Sequence, residues 1–211
     1  MKIELLTTYA AFEDMERFAA LAALTCHDNV ARMDVKGYKP SDTLKNIIKF
    51  GHESILEHIN LTFSVKELSR ACLQELARHR HISLSVESTR HTLKKNVLPA
   101  ILTSVDIYFP SIVDADLTEL ILDYFQDIEN YVKAHSDISN DVLKYAIPEC
   151  FTTNLILTTN IRELRHILEL RTAPAALEEF QNLARGLFEA VPAEFRYLLE
   201  DCVYKKGDNE V

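Results

Sequence analysis

One stretch restricts the fold class more than any other. In residues 58–65, HINLTFSV, the apolar side chains Ile59, Leu61, Phe63 and Val65 occupy every second position, the period of a strand with one buried face. Just beyond, Leu68, Cys72 and Leu76 recur at helical spacing, so residues 68–77 are predicted to be a helix. A chain that changes period so abruptly is neither all-helical nor all-strand, and a mixed α/β fold follows.

The remaining segments fit that class. Residues 2–9 read as a short strand and 14–25 as a helix rich in alanine and leucine. Ser41 is placed to cap a helix that runs to Phe50 and ends at Gly51. Residues 84–93, rich in Ser, Thr and Val, read as extended, which puts Ser88 and Arg90 on one face. A short strand is expected at 106–109, stopped by Pro110. A long amphipathic helix is expected at 115–134 and a short one at 140–146. Residues 151–159 are open between strand and helix. A helix over 160–170 starts at Asn160-x-x-Glu163, which resembles a capping box. Helices near 175–190 and 193–200 precede a frayed tail. No linker or repeat divides the 211 residues, and a chain of that length, 47% hydrophobic, buries a full core as one domain over 1–211.

Charge narrows the function classes. The net charge of −9 argues against general binding to nucleic acid or anionic membranes. Yet Arg70, Arg78, Arg80, Arg90, Lys94 and Lys95 face only Glu75 and Glu87 within residues 70–95, and Arg162, Arg165, His166 and Arg171 form a second basic cluster. An acidic chain with two basic clusters suits small anions. Cys26, Cys72, Cys150 and Cys202 are scattered, and free buried thiols are expected. The first residues have no signal-peptide character and no later run could span a bilayer, so the chain reads as cytoplasmic.

The strongest local signal is Arg78-His79-Arg80, then Ser88 after seven residues, then Arg90. Guanidinium groups pair in bidentate fashion with phosphate and imide oxygens, and a serine hydroxyl adds a short donor. On composition alone a solvated basic turn is the commoner outcome. Two further blocks accompany the triplet. Upstream stands Gly51-His52-Glu53-Ser54-Ile55-Leu56-Glu57-His58, and downstream Asn160-Ile161-Arg162-Glu163-Leu164-Arg165-His166-Ile167-Leu168-Glu169-Leu170-Arg171.

These three blocks, in this order, resemble the signature segments of the flavin-dependent thymidylate synthases. The resemblance implies an α/β (α+β) domain with a small, largely antiparallel sheet surrounded by helices, assembled as a homotetramer with FAD between subunits. It implies reductive methylation of dUMP to dTMP, with methylenetetrahydrofolate as carbon donor and NADPH as the reductant of FAD. By the same resemblance Ser54, Arg78, His79, Arg80, Asn160, Arg162 and His166 contact FAD. Arg78, Ser88, Arg90, Lys144 and Arg171 surround dUMP, accompanied by Gln74, Glu75 and Glu87, and Arg171 is the catalytic residue that activates the uracil ring. His79 and its neighbouring arginines are expected to favour an anionic reduced flavin.

The chain departs from the family pattern in places. Glu75 stands where a glutamine is usual, with Gln74 one place earlier as a substitute. Ser85-Val86 replaces an Asn-Glu pair, leaving a glutamate only at 87. Lys144 stands where arginine is frequent.

Other readings of these residues are weaker. His52 and His58 flank two glutamates, but a His-x5-His pair shares no helix face, and no metal site is expected. Ser88 has no surrounding nucleophile elbow and reads as a hydrogen-bonding group. Pro148-Glu149-Cys150 is the nearest approach to the Pro-Cys-His setting of cysteine-dependent thymidylate synthases, and it does not match. In the 160–171 helix, Ile161, Leu164, Ile167, Leu168 and Leu170 form a broad apolar arc. Arg162 and His166 lie together opposite it, while Arg171 falls inside the arc, a costly place for a guanidinium that lacks an acceptor. A non-catalytic nucleotide- or RNA-binding protein that uses the basic segment 78–95, or a metal-dependent hydrolase built on the His and Glu residues, are the alternatives from other classes.

Overall fold

The strict alternation at 58–65 becomes the central strand β2 (Asn60–Ser69), in which Leu61, Phe63 and Val65 are fully buried and Lys66 is exposed. The structure, a computed structural model, describes residues 1–95 and 115–205. The strand expected at 106–109 and the end of the tail lie outside these residues. Strands β1 (Lys2–Leu5), β2, β3 (Ile82–Val86) and β4 (Thr152–Asn160) form one sheet in the order β1-β2-β4-β3.

Pairing follows from a few bonds. The Leu6 N–H donates to the Thr62 carbonyl at 2.8 Å, and Lys2 meets Glu67 at 3.0 Å. The Thr62 and Thr158 hydroxyls meet at 3.0 Å, and the Glu67 N–H donates to Asn154 Oδ1 at 3.2 Å. Numbers that rise along β2 meet falling numbers on both neighbours, so both pairs are antiparallel. The open choice at 151–159 resolves as strand because threonine and β-branched residues alternate there with burial of Thr153, Leu155, Leu157 and Thr159.

The chain's internal contacts divide it into two compact units. The first comprises residues 1–2, 65–78 and 85–155. Its core is Leu93, Phe125, Ile128, Val132, Leu143 and Phe151. Helix α3 (Arg70–Leu76) starts where Ser69 Oγ accepts the Cys72 N–H at 3.0 Å. Residues 89–95 form α4, followed among the described residues by α5 (Ala115–Ala134) and α6 (Asn140–Leu143), which runs into a 3₁₀ turn at Lys144–Ala146. The extended reading of 84–93 holds for 84–86, the end of β3, and is corrected from residue 89 onward. The Ser88 carbonyl accepts the N–H groups of His91 (3.0 Å) and Thr92 (3.2 Å), and the helical turn that follows delivers Leu93 to the core. Ser88 and Arg90 therefore do not share a strand face.

The second unit comprises residues 3–64, 79–84 and 156–211. Helix α1 (Tyr9–Thr25) begins where Thr8 Oγ1 accepts the Ala11 N–H at 3.2 Å, so the strand expected over 2–9 stops at Leu5. Helix α2 (Pro40–Lys49) has Pro40 in its first turn and no side-chain cap, so Ser41 sits inside the helix rather than capping it. Gly51 follows it with φ +71°, the left-handed conformation that ends helices. Helices α7 (Ile161–Arg171) and α8 (Glu178–Ala190) and the 3₁₀ turn Ala193–Leu198 complete the unit. Its core includes Phe12 stacked on Phe195 at 4.0 Å, with Leu44, Leu56, Leu164, Leu168, Phe180 and Leu183 fully buried. The four cysteines are free, but only Cys72 is buried; Cys150 and Cys202 are half-buried and Cys26 is exposed.

Candidate functional site

Helix α7 organises the second unit's polar chemistry. Asn160 Oδ1 accepts the Glu163 N–H at 2.8 Å and so caps the helix. The capping box is only half built, because the Glu163 side chain turns inward to His79 instead of back to Asn160. Ile161, Leu164, Ile167 and Leu168 are fully buried, whereas Arg162, His166, Glu169 and Leu170 are exposed. Leu170 thus leaves the apolar arc assigned to it. Arg162 and His166 share the open side as their spacing implies.

That side borders a cavity of about 890 Å³. Asn160, Arg162, Glu163, Arg165, His166 and Glu169 line it from α7, Glu53 and Glu57 from the 3₁₀ turn Glu53–His58, and His81 from the start of β3. The stretch Asp201–Tyr204 closes another wall. Ser54 is exposed on the same turn as Glu53 and Glu57, which do line the cavity.

The arginines of the second basic cluster differ sharply in how they are held. Arg162 pairs with Glu57 at 2.5 Å, with both side chains about half exposed (52% and 49%). Such a pair contributes little and exchanges readily for another anion. Arg165 is buried and fully engaged. Its Nε donates to Glu53 Oε1 (3.0 Å), its Nη1 to the Leu198 carbonyl (2.7 Å), and Nη1 and Nη2 to the two oxygens of Asp201 (2.6 and 2.7 Å). Burial pushes the Asp201 carboxyl up, but the hydrogen bonds and charge of Arg165 outweigh it and hold the group below its ordinary value. Arg165 therefore ties the 198–204 segment to α7 and is not offered to a ligand. Cys202, on the same wall, is pushed up to about 12, chiefly by burial, so its thiol stays protonated at neutral pH.

Behind the cavity, His79 is buried and both its ring nitrogens are engaged. Nδ1 lies 3.0 Å from Glu163 Oε1, and the Arg171 Nε donates to Nε2 at 3.3 Å. The ring also stands edge-on to His166 and Phe180, with centroids 5.8 Å away in each case. Burial lowers the His79 pKa; the Glu163 bond opposes this, while the charges of Arg171 and His166 reinforce it. A lowered pKa favours the neutral ring, and both ring nitrogens are held by protein groups in this structure. Arg171 itself is half-buried, with its guanidinium carbon 4.6 Å from the centre of the Phe180 ring. The acceptor that its apolar position demanded is thus supplied in part by the protein.

In the first unit, two of the residues assigned to dUMP, Arg90 and Gln74, meet the stretch 140–149. Arg90 forms a fork with Asp141 (2.7 and 3.1 Å), its carbonyl accepts from Asn140 (2.8 Å), and Gln74 donates to Glu149 at 2.6 Å. Lys144 lies between them in sequence and is exposed, its ammonium 5.5 Å from the Tyr145 ring. The Arg90–Asp141 pair is also exposed (65% and 53%) and exchangeable. Glu87 accepts from Asn154 Nδ2 at 2.7 Å. Ser88, Arg78 and Arg80 are exposed, and Glu75 is half-buried in the last turn of α3. Among the described residues, no three His, Cys, Asp or Glu side chains gather as metal ligands do.

Sequence reasoning missed the Asp201–Tyr204 wall, the buried fork of Arg165, and Phe180 beneath Arg171. Asp201 and Phe180 carry no motif, and only a long-range partner reveals them.

Comparison with known proteins agrees with the three blocks. Residues 5–195 match the family model described as thymidylate synthase complementing protein. The flavin-dependent thymidylate synthase of Campylobacter jejuni (strain RM1221) is 38% identical over 194 residues, 87% of this chain and 91% of that protein. The Helicobacter pylori (strain J99) enzyme of the same name is 37% identical over 194 residues, 88% of this chain and 93% of its own length. A crystal structure of Helicobacter pylori thymidylate synthase X with FAD and dUMP is similar with a TM-score of 0.84 at 33% identity, covering 97% of this chain and 100% of that one. The chain belongs to the flavin-dependent thymidylate synthases.

Proposed function

We propose that this enzyme binds FAD and dUMP, takes its one-carbon unit from methylenetetrahydrofolate, and uses NADPH as the reductant. Reduced FAD, when bound, supplies the hydride that completes the methyl group. The cavity beside α7 suits a ligand of dinucleotide size. Asn160, Arg162 and His166 line it, and Arg162 can leave its exposed carboxylate for a phosphate at little cost. Ser54, Arg78 and Arg80, all exposed, complete the flavin set. For dUMP, Arg90 can likewise exchange Asp141 for phosphate, with Ser88, Lys144, Arg78 and Gln74 as further donors and Glu75 and Glu87 for hydroxyls.

The observation that carries the chemistry is Arg171. Its half-buried guanidinium is stacked on Phe180 and anchored through Nε to His79. A cation fixed in this way costs no reorganisation when negative charge develops beside it, and an electron-rich uracil ring is such a group. No cysteine thiolate is needed: burial raises Cys150, and Cys202 is protonated. We further propose a homotetramer with FAD between subunits. The exposed apolar side chains Leu117, Leu120, Tyr124 and Tyr131 on α5 and Phe18 on α1 support an assembly.

The test is direct. Purified protein should carry, or take up, a flavin absorbance identified as FAD, and should oxidise NADPH faster when dUMP is present. A colourless protein that cannot be reconstituted with FAD refutes the proposal.

A further inference from the structure

Helix α7 presents one continuous row of side chains to the cavity. Arg162, His166 and Glu169 stand at i, i+4 and i+7; all three are exposed and all three line it. Seven residues leave a helix roughly 20° short of two full turns, so Arg162 and Glu169 share one face with about 10 Å of axial rise between them. The row has a direction. A cation stands near the helix N-terminus and a carboxylate in the last turn.

That carboxylate is in an unfavourable place. The C-terminal end of a helix is negative, and an anion in its last turn is repelled. An arginine four residues earlier ordinarily compensates it, but Arg165 commits its guanidinium to Glu53, the Leu198 carbonyl and Asp201. Of the five carboxylates that line the cavity, Glu53 and Asp201 are held by Arg165, Glu57 by Arg162 and Glu163 by His79. Among the described residues, Glu169 is the one of the five with no hydrogen bond or ion pair. Burial raises the Cys202 thiol and the charge of Glu169 adds to the effect, so this carboxylate is within electrostatic reach of the Asp201–Tyr204 wall. An ionised carboxylate accepts hydrogen bonds and donates none. It repels phosphate, and the ligand groups that suit it are neutral donors such as sugar hydroxyls, which acidic residues take in other nucleotide sites.

We propose that Glu169 is a specificity-determining residue of the flavin site, which accepts sugar hydroxyls of the bound nucleotide while Arg162, two turns earlier, takes a phosphate. This rests on the reading of the cavity as the place of FAD given above. The hydroxyls belong either to the ribose of the adenosine half or to the ribityl chain of the flavin half.

The test is a binding titration of full-length protein stripped of flavin, with FAD and with FMN, which keeps the ribityl chain and lacks the adenosine. Alanine is favoured at an exposed helix position, so the flavin-free variants should unfold at the wild-type Tm and a change in affinity is then not a change in fold. Glu169→Ala should weaken FAD binding roughly 3- to 10-fold, about what one hydrogen bond contributes. Glu169→Gln, whose amide oxygen still accepts, should stay within about twofold of wild type. A loss confined to FAD assigns the hydroxyls to the ribose, and an equal loss with FMN assigns them to the ribityl chain. A carboxylate that only repels the phosphates has the opposite sign, since both substitutions then tighten both flavins. That outcome, or an unchanged FAD affinity in Glu169→Ala, overturns the role of Glu169 and leaves the FAD site standing. Wild-type protein that binds no FAD overturns the site and the role of Glu169 together.

Discussion

Arg165→Ala should be among the most damaging single changes outside the apolar core. The deletion removes a guanidinium that makes four hydrogen bonds, two of them a fork on Asp201. It also strands the carbonyl of Leu198, a fully buried residue, at a cost of about 1–3 kcal/mol. Breaking a fully buried pair by removing one partner costs about 3–5 kcal/mol. The Asp201 and Glu53 side chains are 50% and 34% exposed and can rehydrate, which places the total near the low end, about 3 kcal/mol. For a chain of this length that lowers Tm by roughly 6–12 °C.

The assay is thermal unfolding of flavin-free protein at one fixed concentration, since binding and assembly both shift Tm. Acid dependence supplies a second readout. Asp201 has a depressed pKa in the folded state, so its contribution is present above the unfolded value of about 4 and is lost as pH falls through the folded one. Wild-type stability should therefore drop in that acid window, and Arg165→Ala should lose that part of the slope. Arg165→Lys should recover less than half of the loss, since a point charge cannot serve three acceptors in a fork. A Tm shift below about 2 °C would refute the reasoning, because it would mean that the Arg165 bonds contribute nothing net.

Arg171→Ala should keep the fold and FAD yet lose turnover by roughly 10²-fold or more, read as single-turnover flavin reoxidation at saturating dUMP, with Arg171→Lys recovering little. Ser88→Ala should weaken dUMP binding by about 1 kcal/mol in calorimetry while turnover remains measurable, and a trapped covalent adduct on Ser88 would contradict it. Light scattering should find a tetramer favoured by FAD, and an active flavin-loaded monomer would sink that assembly. Acid should also act through His79: its folded pKa is lowered, so its contribution is present above the unfolded value of about 6.5 and is lost as pH falls through the folded one. A nitrogen NMR titration that finds His79 charged at pH 7 would refute that assignment.

The fold was legible where periodicity was strong. The alternation through Phe63 and the long helix at 115–134 reappear in the structure, and the helix expected over 68–77 is found at Arg70–Leu76, with Leu68 still in β2. It was not legible at 89–93, where β-favouring residues suggested that the strand continues but burial of Leu93 favoured a helical turn. The candidate site divides in the same way. Arg162 and His166 are neighbours by local spacing, so sequence sufficed. The pairing of Arg165 with Asp201, of His79 with Glu163 and of Arg90 with Asp141 joins residues far apart in the chain, and a local count of charges mistook engaged cations for available ones.

The interleaving of the two units bears on how the protein is made. The second unit needs residues 3–64 and 156–211 together, as Phe12 stacked on Phe195 illustrates. A ribosome adding about 5–20 residues per second leaves the first of these segments waiting roughly 5–20 s for the second. During that interval the apolar faces of α1 and β2 have no completed core to enter. Contacts this distant in sequence also close slowly once the chain is free. A nascent chain stalled near residue 155 should accordingly be a substrate for holding chaperones, and no fragment that lacks either end of the chain should fold into the second unit.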